Sequence, residues 1–213
     1  LVFTANAGLI VNKHFVLSRF CHTQRQPEEP FFKRWFAEHD YTVSELPNDI
    51  YFEGHGDAVF QRGKKLLWLG YGMRTQLSAL DYLKTKTTTP IKPLELVDER
   101  FYHLDTCFCS LLDGYIMYYP PAFSDDAQQS IHAAFPTEKR IIVNDEDAAH
   151  FVCNAVLVAT DKIPSKKGVI FVNAISDELQ TQLDSLGYKV QIQPVSEFRK
   201  AGGANQCLTL KLT

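Results

Sequence analysis

No apolar run in the 213-residue chain approaches the roughly 20 residues that a bilayer-spanning helix needs, so no membrane partner is expected. Charge of one sign is also lacking: 22 Lys and Arg against 25 Asp and Glu leave a net charge of −3. That balance gives no reason to expect nucleic acid or an anionic surface as a partner. No second cysteine pair accompanies Cys107 and Cys109, and Cys21, Cys153 and Cys207 stand apart, so the spacing builds no zinc site, and neither metal nor cofactor is expected. Five scattered thiols fit a reducing, cytoplasmic setting better than a disulfide framework. No initiator methionine and no signal-peptide pattern are visible. Leu1 to Gly8 reads instead as a strand already running into a turn, and an N-terminal portion is expected to lie outside this numbering.

Apolar residues at 45% and charged residues at 22% describe an ordinary globular protein, long enough to bury a sizeable core. Asn12-Lys13, Arg62-Gly63-Lys64 and Asp113-Gly114 are hairpin turns between apolar runs. Helical spacing follows each hairpin. Phe31, Phe32, Trp35 and Phe36 form one apolar cluster after Pro27-Glu28-Glu29-Pro30, and a second helix is predicted from Arg74 to Lys86. Ser124 caps a third, and Ser176-Asp177-Glu178 opens one that ends at Gly187. A loop is expected from Asp161 to Lys167, a short helix from Ser196 to Lys200 and a final strand from Cys207 to Leu212. The chain thus predicts about four rounds of hairpin, helix and strand, an α/β repeat with loops gathered at one end.

The polar stretches that carry chemistry recur at the same place in the repeat. Asn6, Glu53 to Asp57, His103 to Asp105 and Gly202 to Cys207 all fall at strand junctions, which places them around one centre. Taken alone, Cys207 reads as a packing cysteine at a strand start rather than a nucleophile. His103 is a general acid/base by its ordinary pKa, and His103-Leu104-Asp105 on a strand would turn His103 and Asp105 to one face. Glu53 is placed to orient His103. Asp57 reads equally as a cation ligand and as a turn-holding group, and His55 as a second proton carrier or a solvent-facing loop histidine. Cys107 and Cys109 read as small core residues.

The motifs F-E-G-x-G-D, H-L-D-T and G-G-x-x-x-C-L-T, in that order, resemble those of the guanidine-modifying superfamily, which includes dimethylarginine dimethylaminohydrolase, arginine deiminase, arginine dihydrolase and the amidinotransferases. The resemblance implies the pentein fold, an α/β-propeller of ββαβ units about a pseudo-fivefold axis, with residues 1–213 as one catalytic domain that lacks its first unit. It implies that Cys207 attacks a guanidinium carbon, that His103 shuttles protons, that Glu53 pairs with His103, and that Asp105, Asn6, Asp57 and Arg74 bind the substrate. It implies a hydrolase of the guanidine group of arginine or a methylated arginine; amidino transfer, or binding without catalysis, stays open, as does homo-oligomerisation. Two departures stand out: the acid turn is Gly54-His55-Gly56 rather than Gly-Gly, and Asn6 stands where the deiminases carry an acid.

Overall fold

The turn residues set the architecture. Asn12 (φ 57°), Gly63 (φ 74°), Asp113 (φ 57°) and Gly114 (φ 75°) occupy the left-handed region that tight hairpins require. In the computed structural model, which describes residues 1–160, 162–163 and 167–212, these turns join β1 (Gly8–Val11) to β2 (His14–Leu17), β4 (Ala58–Phe60) to β5 (Leu67–Tyr71) and β7 (Phe108–Ser110) to β8 (Ile116–Tyr118). β10 (Val156–Ala159) and β11 (Gly168–Val172) form the fourth antiparallel pair, and most of the loop expected between them lies outside the described residues.

A helix then carries each second strand over to a parallel third. The helices are α1 (Glu29–Glu38), α2 (Ala79–Lys84), α3 (Asp125–Ala134) and α5 (Asp177–Ser185), and the third strands are β3 (Thr42–Ser44), β6 (Ile91–Glu95), β9 (Arg140–Ile142) and β12 (Tyr188–Ile192). The described residues therefore hold four three-stranded sheets, each a ββαβ unit, as the repeat predicts. Trp68, Phe108, Tyr118, Phe135 and Tyr188 anchor the largest core, which runs through the last three units.

Several elements differ from expectation. Only Phe32 and Phe36, four apart, face the core of the first unit; Phe31 and Trp35 remain 50% and 40% exposed on the far side of α1. The helix predicted from Arg74 begins at Ala79, because Gly72 (φ 113°) breaks the backbone and Thr75 is drawn away by Asp57 and Glu53. α4 (Asp145–Ala149) was not anticipated, although Asn144 caps it through Asp147 N at 2.8 Å and three acids fill its first turn. α6 (Ser196–Lys200) lies where expected.

The strand expected at residues 1–8 is a 3-10 turn, Thr4–Ala7. The strand expected from Cys207 is likewise a 3-10 turn, Gln206–Leu208, held because Cys207 N–H bonds the Asn154 side chain rather than a neighbouring strand. Leu104–Thr106 is a third such turn, so His103 and Asp105 do not alternate along a strand.

Candidate active site

The turns that replaced the expected strands build the site. A short turn precedes the first strand of each unit: Thr4–Ala7 before β1, Gly54–Gly56 before β4, Leu104–Thr106 before β7, and a non-helical turn ending at Asn154 before β10. Gln206–Leu208 adds a fifth near the C-terminus. Asn6, Glu53, His103, Asp105, Asn154 and Cys207 all sit in or beside these turns, and hydrogen bonds link them across sequence separations of 47, 50, 49 and 53 residues.

Glu53 and His103 form the tightest polar contact, Nε2 to Oε2 at 2.7 Å, with both residues essentially fully buried. Glu53 Oε2 also accepts from Arg74 Nη1 at 3.3 Å, and Oε1 accepts from Cys21 N at 3.1 Å. Among the described residues Nδ1 of His103 finds no hydrogen-bond partner, and it is the nitrogen free to exchange a proton. Gly56 is required beside it: a Cβ there would lie 2.3 Å from Asn6 Nδ2 and 3.3 Å from the imidazole ring.

Cys207 Sγ lies 3.7 and 3.9 Å from the two Asp105 carboxylate oxygens. The 3-10 turn, not strand alternation, sets this geometry. His103 precedes the turn in extended conformation, Asp105 sits within it, and Leu104 points to the core. Asp57 braces the turn from below, Oδ1 accepting from Leu104 N at 3.0 Å and Oδ2 from Thr75 Oγ1 at 2.7 Å.

The remaining predicted residues divide. Asn6 is buried, donating to Glu53 O at 3.2 Å and accepting from Arg25 Nη1 at 2.9 Å. Arg74 lies in the loop after β5, partly exposed, with its guanidinium 4.7 Å from the Tyr102 ring centre. His55 is half-buried at the opposite side of its turn, where burial and Arg62 push its imidazole down to about 4, so it is a neutral wall group near pH 7. Cys107 and Cys109 are buried in the core, as expected.

Sequence reasoning missed three residues. Arg25 reaches Asn6 while held by Glu28 through paired bonds at 2.9 and 3.1 Å. Tyr102 packs on His103 at 4.9 Å and donates its hydroxyl to the Gly202 carbonyl. Asn154 touches the Cys207 sulfur. Only Asn154 carried a usable signal, the roughly 50-residue repeat.

Burial dominates the electrostatics. It raises the Asp105 carboxyl to about 7, the neighbouring Asp57 carboxylate adding to the shift against His103, and it raises Asp57 to about 6. Burial also opposes ionisation of Glu53 and His103, but their mutual bond, with Arg74 beside Glu53 and Asp57 beside His103, overrides it. Glu53 falls to about 2 and His103 rises, which makes them an ion pair. The Cys207 thiol is pushed well up by burial and then by Asp105, so it stays protonated until a cation offsets that carboxylate.

A cavity of about 1380 Å³ lies elsewhere. It runs along the inner strands and reaches the site only through Asp105 and Gln206; Cys207, His103 and Glu53 do not line it. The geometry of the buried groups, rather than cavity size, identifies the chemistry.

Comparison with known proteins decides the family. The family described as N,N dimethylarginine dimethylhydrolase, eukaryotic, matches over residues 1–213. The chain belongs to this dimethylarginine dimethylhydrolase family. Among curated members of known name, the bifunctional arginine dihydrolase/ornithine cyclodeaminase ArgZ of Synechocystis is 50% identical over 213 residues, and the chain spans 29% of that protein's length. The N(G),N(G)-dimethylarginine dimethylaminohydrolase of Mycobacterium tuberculosis is 34% identical over 212 residues, and the chain covers 66% of that protein's length. The N-terminal domain of ArgZ has been solved as a cysteine-to-serine variant bound to substrate, and as an asparagine-to-serine variant covalently bound to a reaction intermediate. Both share 50% identity and a TM-score of 0.93 with this chain, covering all of it and 75% of the solved domain. The dimethylarginine dimethylhydrolase family fold thus accounts for the four ββαβ units.

Proposed function

We propose that this chain is a cysteine-dependent hydrolase of the guanidine group of arginine or a methylated arginine, acting as one catalytic body to which every unit contributes. The observation that carries the reading is the Cys207 sulfur set 3.7 Å from a buried carboxylate, in the same ring of turns as an imidazole–carboxylate pair. The relatives named for arginine dihydrolysis and dimethylarginine hydrolysis support it.

A planar guanidinium is held by Asp105 through paired hydrogen bonds. Its charge offsets Asp105 and lets the thiol ionise, the thiol proton passing to solvent, so the nucleophile forms when substrate arrives. Sulfur attacks the guanidinium carbon, and His103, held protonated by Glu53, gives its proton to the departing amine as the C–N bond breaks. Neutral His103 then takes a proton from water, the oxygen adds to the amidino-thioether carbon, and the C–S bond breaks to regenerate Cys207. Methylated arginine would give citrulline and a methylamine; a second round on citrulline would give ornithine, ammonia and carbon dioxide.

Arg74 and Arg25, both partly exposed, offer cations for the substrate carboxylate. Asp57 and Asn6 have their polar atoms engaged by protein groups, which favours the turn-holding reading of Asp57 and a supporting place for Asn6. All five cysteines are free, consistent with a cytoplasmic setting. No described helix is long and apolar enough to cross a membrane.

The test is turnover of arginine and dimethylarginine, read as citrulline and ornithine, by wild type and Cys207→Ser. Equal rates in both would exclude the cysteine mechanism. Amidino transfer predicts instead that an added acceptor amine appears in the product. Failure of a haloacetamidine to label Cys207 preferentially would favour binding without catalysis.

A further inference from the structure

The repeat has a fourth junction, before β10, and its residue is unassigned by anything above. Asn154 sits there, fully buried, 49 residues after Asp105 and 53 before Cys207. Its side-chain Nδ2 lies 3.1 Å from Cys207 Sγ and 3.3 Å from the Asp105 carbonyl oxygen. Its Oδ1 accepts from Cys207 N at 3.1 Å, and its carbonyl accepts from Gln206 N, also at 3.1 Å. These partners fix the amide. A flipped side chain would set Nδ2 against the Cys207 N–H and Oδ1 against the Asp105 carbonyl, donor to donor and acceptor to acceptor. The N–H is therefore the group that faces sulfur.

Asp105 opposes that contact. Its carboxylate makes an anionic sulfur costly, and among the described residues no cationic side chain lies within hydrogen-bond distance of Sγ. The Asn154 amide is the one side-chain donor among the described residues that bonds to the Cys207 sulfur and stays a donor whatever the protonation of Asp105.

We propose that Asn154 is a catalytic residue: its side-chain N–H holds the Cys207 sulfur while negative charge builds before attack, and again when the C–S bond breaks and sulfur leaves as thiolate. The same side chain fixes the nucleophile's own backbone, so one amide contributes to both the charge and the position of the sulfur. Its effect on turnover rests on the guanidine-hydrolase reading; its effect on the acidity of the thiol does not.

Asn154→Asp tests this, because it keeps the shape and the acceptor for Cys207 N–H while replacing the donor. In the intact protein, iodoacetamide alkylation of Cys207 is followed against pH by peptide mass spectrometry, alongside kcat and KM for arginine. The alkylation profile should move up by about one pH unit or more. kcat should fall about 10- to 100-fold, with KM within about threefold. A profile that superimposes on wild type overturns the proposal, even if kcat falls. Should Asn154→Asp lose its folded circular dichroism, Asn154→Ser is read in the same way: its shorter side chain removes the donor at 3.1 Å. If Cys207→Ser turned over arginine normally, the hydrolase reading would fail while the alkylation shift remained readable.

Discussion

The inner strands β1, β4, β7 and β10 have two unlike ends. At their starts, the short turns gather Glu53, Asp57, His103, Asp105 and Cys207, all nearly or fully buried. At their far ends they border the 1380 Å³ cavity, ringed by Lys13, Arg62, Lys65, Lys86 and Lys211. The open end has the volume and the cations; the closed end has the coupled acids, imidazole and thiol. A charge surrounded by water is screened, whereas the same charge without water acts at several times the strength. Three carboxylates and a thiol in a dry space shift one another's protonation, and the open ring of lysines does not.

The contrast is broken most completely at the proposed nucleophile. Cys207→Ser should lower turnover by at least about a thousandfold, measured as citrulline and ornithine formation. Next comes the ion pair. Glu53→Gln leaves a buried imidazolium without its partner and should cost about 3–5 kcal/mol of stability at pH 7, with kcat down about 100-fold. Because Glu53 is depressed to about 2, its stabilisation is complete above the ordinary Glu range and disappears as pH falls through that value. Urea melts of wild type and variant should therefore converge toward pH 2. A constant gap would place the stabilisation elsewhere.

A smaller effect sharpens the role of Asp105. Burial pushes its carboxyl up to about 7, and the proposed guanidinium contact needs the ionised form. Arginine affinity in Cys207→Ser, by calorimetry, should weaken about tenfold for each pH unit below 7. Adding Asp105→Asn should flatten that slope. The smallest effect belongs to the open end: joint replacement of Lys13, Lys65 and Lys211 by alanine should change kcat/KM by no more than about twofold.

Much of this was legible in the sequence. Hairpin turns at Asn12, Gly63 and Asp113 and a helix after each hairpin announced the four units, because left-handed turn residues and 3.6-residue spacing are local signals. That Glu53, His103, Asp105 and Cys207 lie around one place was legible from motif and shared position. The local geometry was not legible. Apolar residues around His103 and Cys207 read as strands, but Asp57 and Asn154, about 50 residues away, capture the amides of Leu104 and Cys207 and fold both into 3-10 turns. Such long-range bonds leave no periodic trace. Arg25 was hidden for the same reason, since only its contact with Asn6 distinguishes it from any surface arginine. Asn154 lay within reach, at the one junction of the repeat left unfilled.

The segment carrying Cys207 docks against the beginning of the chain, where Thr4 Oγ1 donates to Leu208 O across 204 residues and Tyr41 Oη to Leu212 O across 171. In order of synthesis the sulfur emerges after every other member of the site. Contacts of such high sequence separation form late, because loop closure must be met before they reward it. During folding the carboxylates and imidazole can assemble before the thiol arrives, and the segment that brings the sulfur also closes the compartment over them.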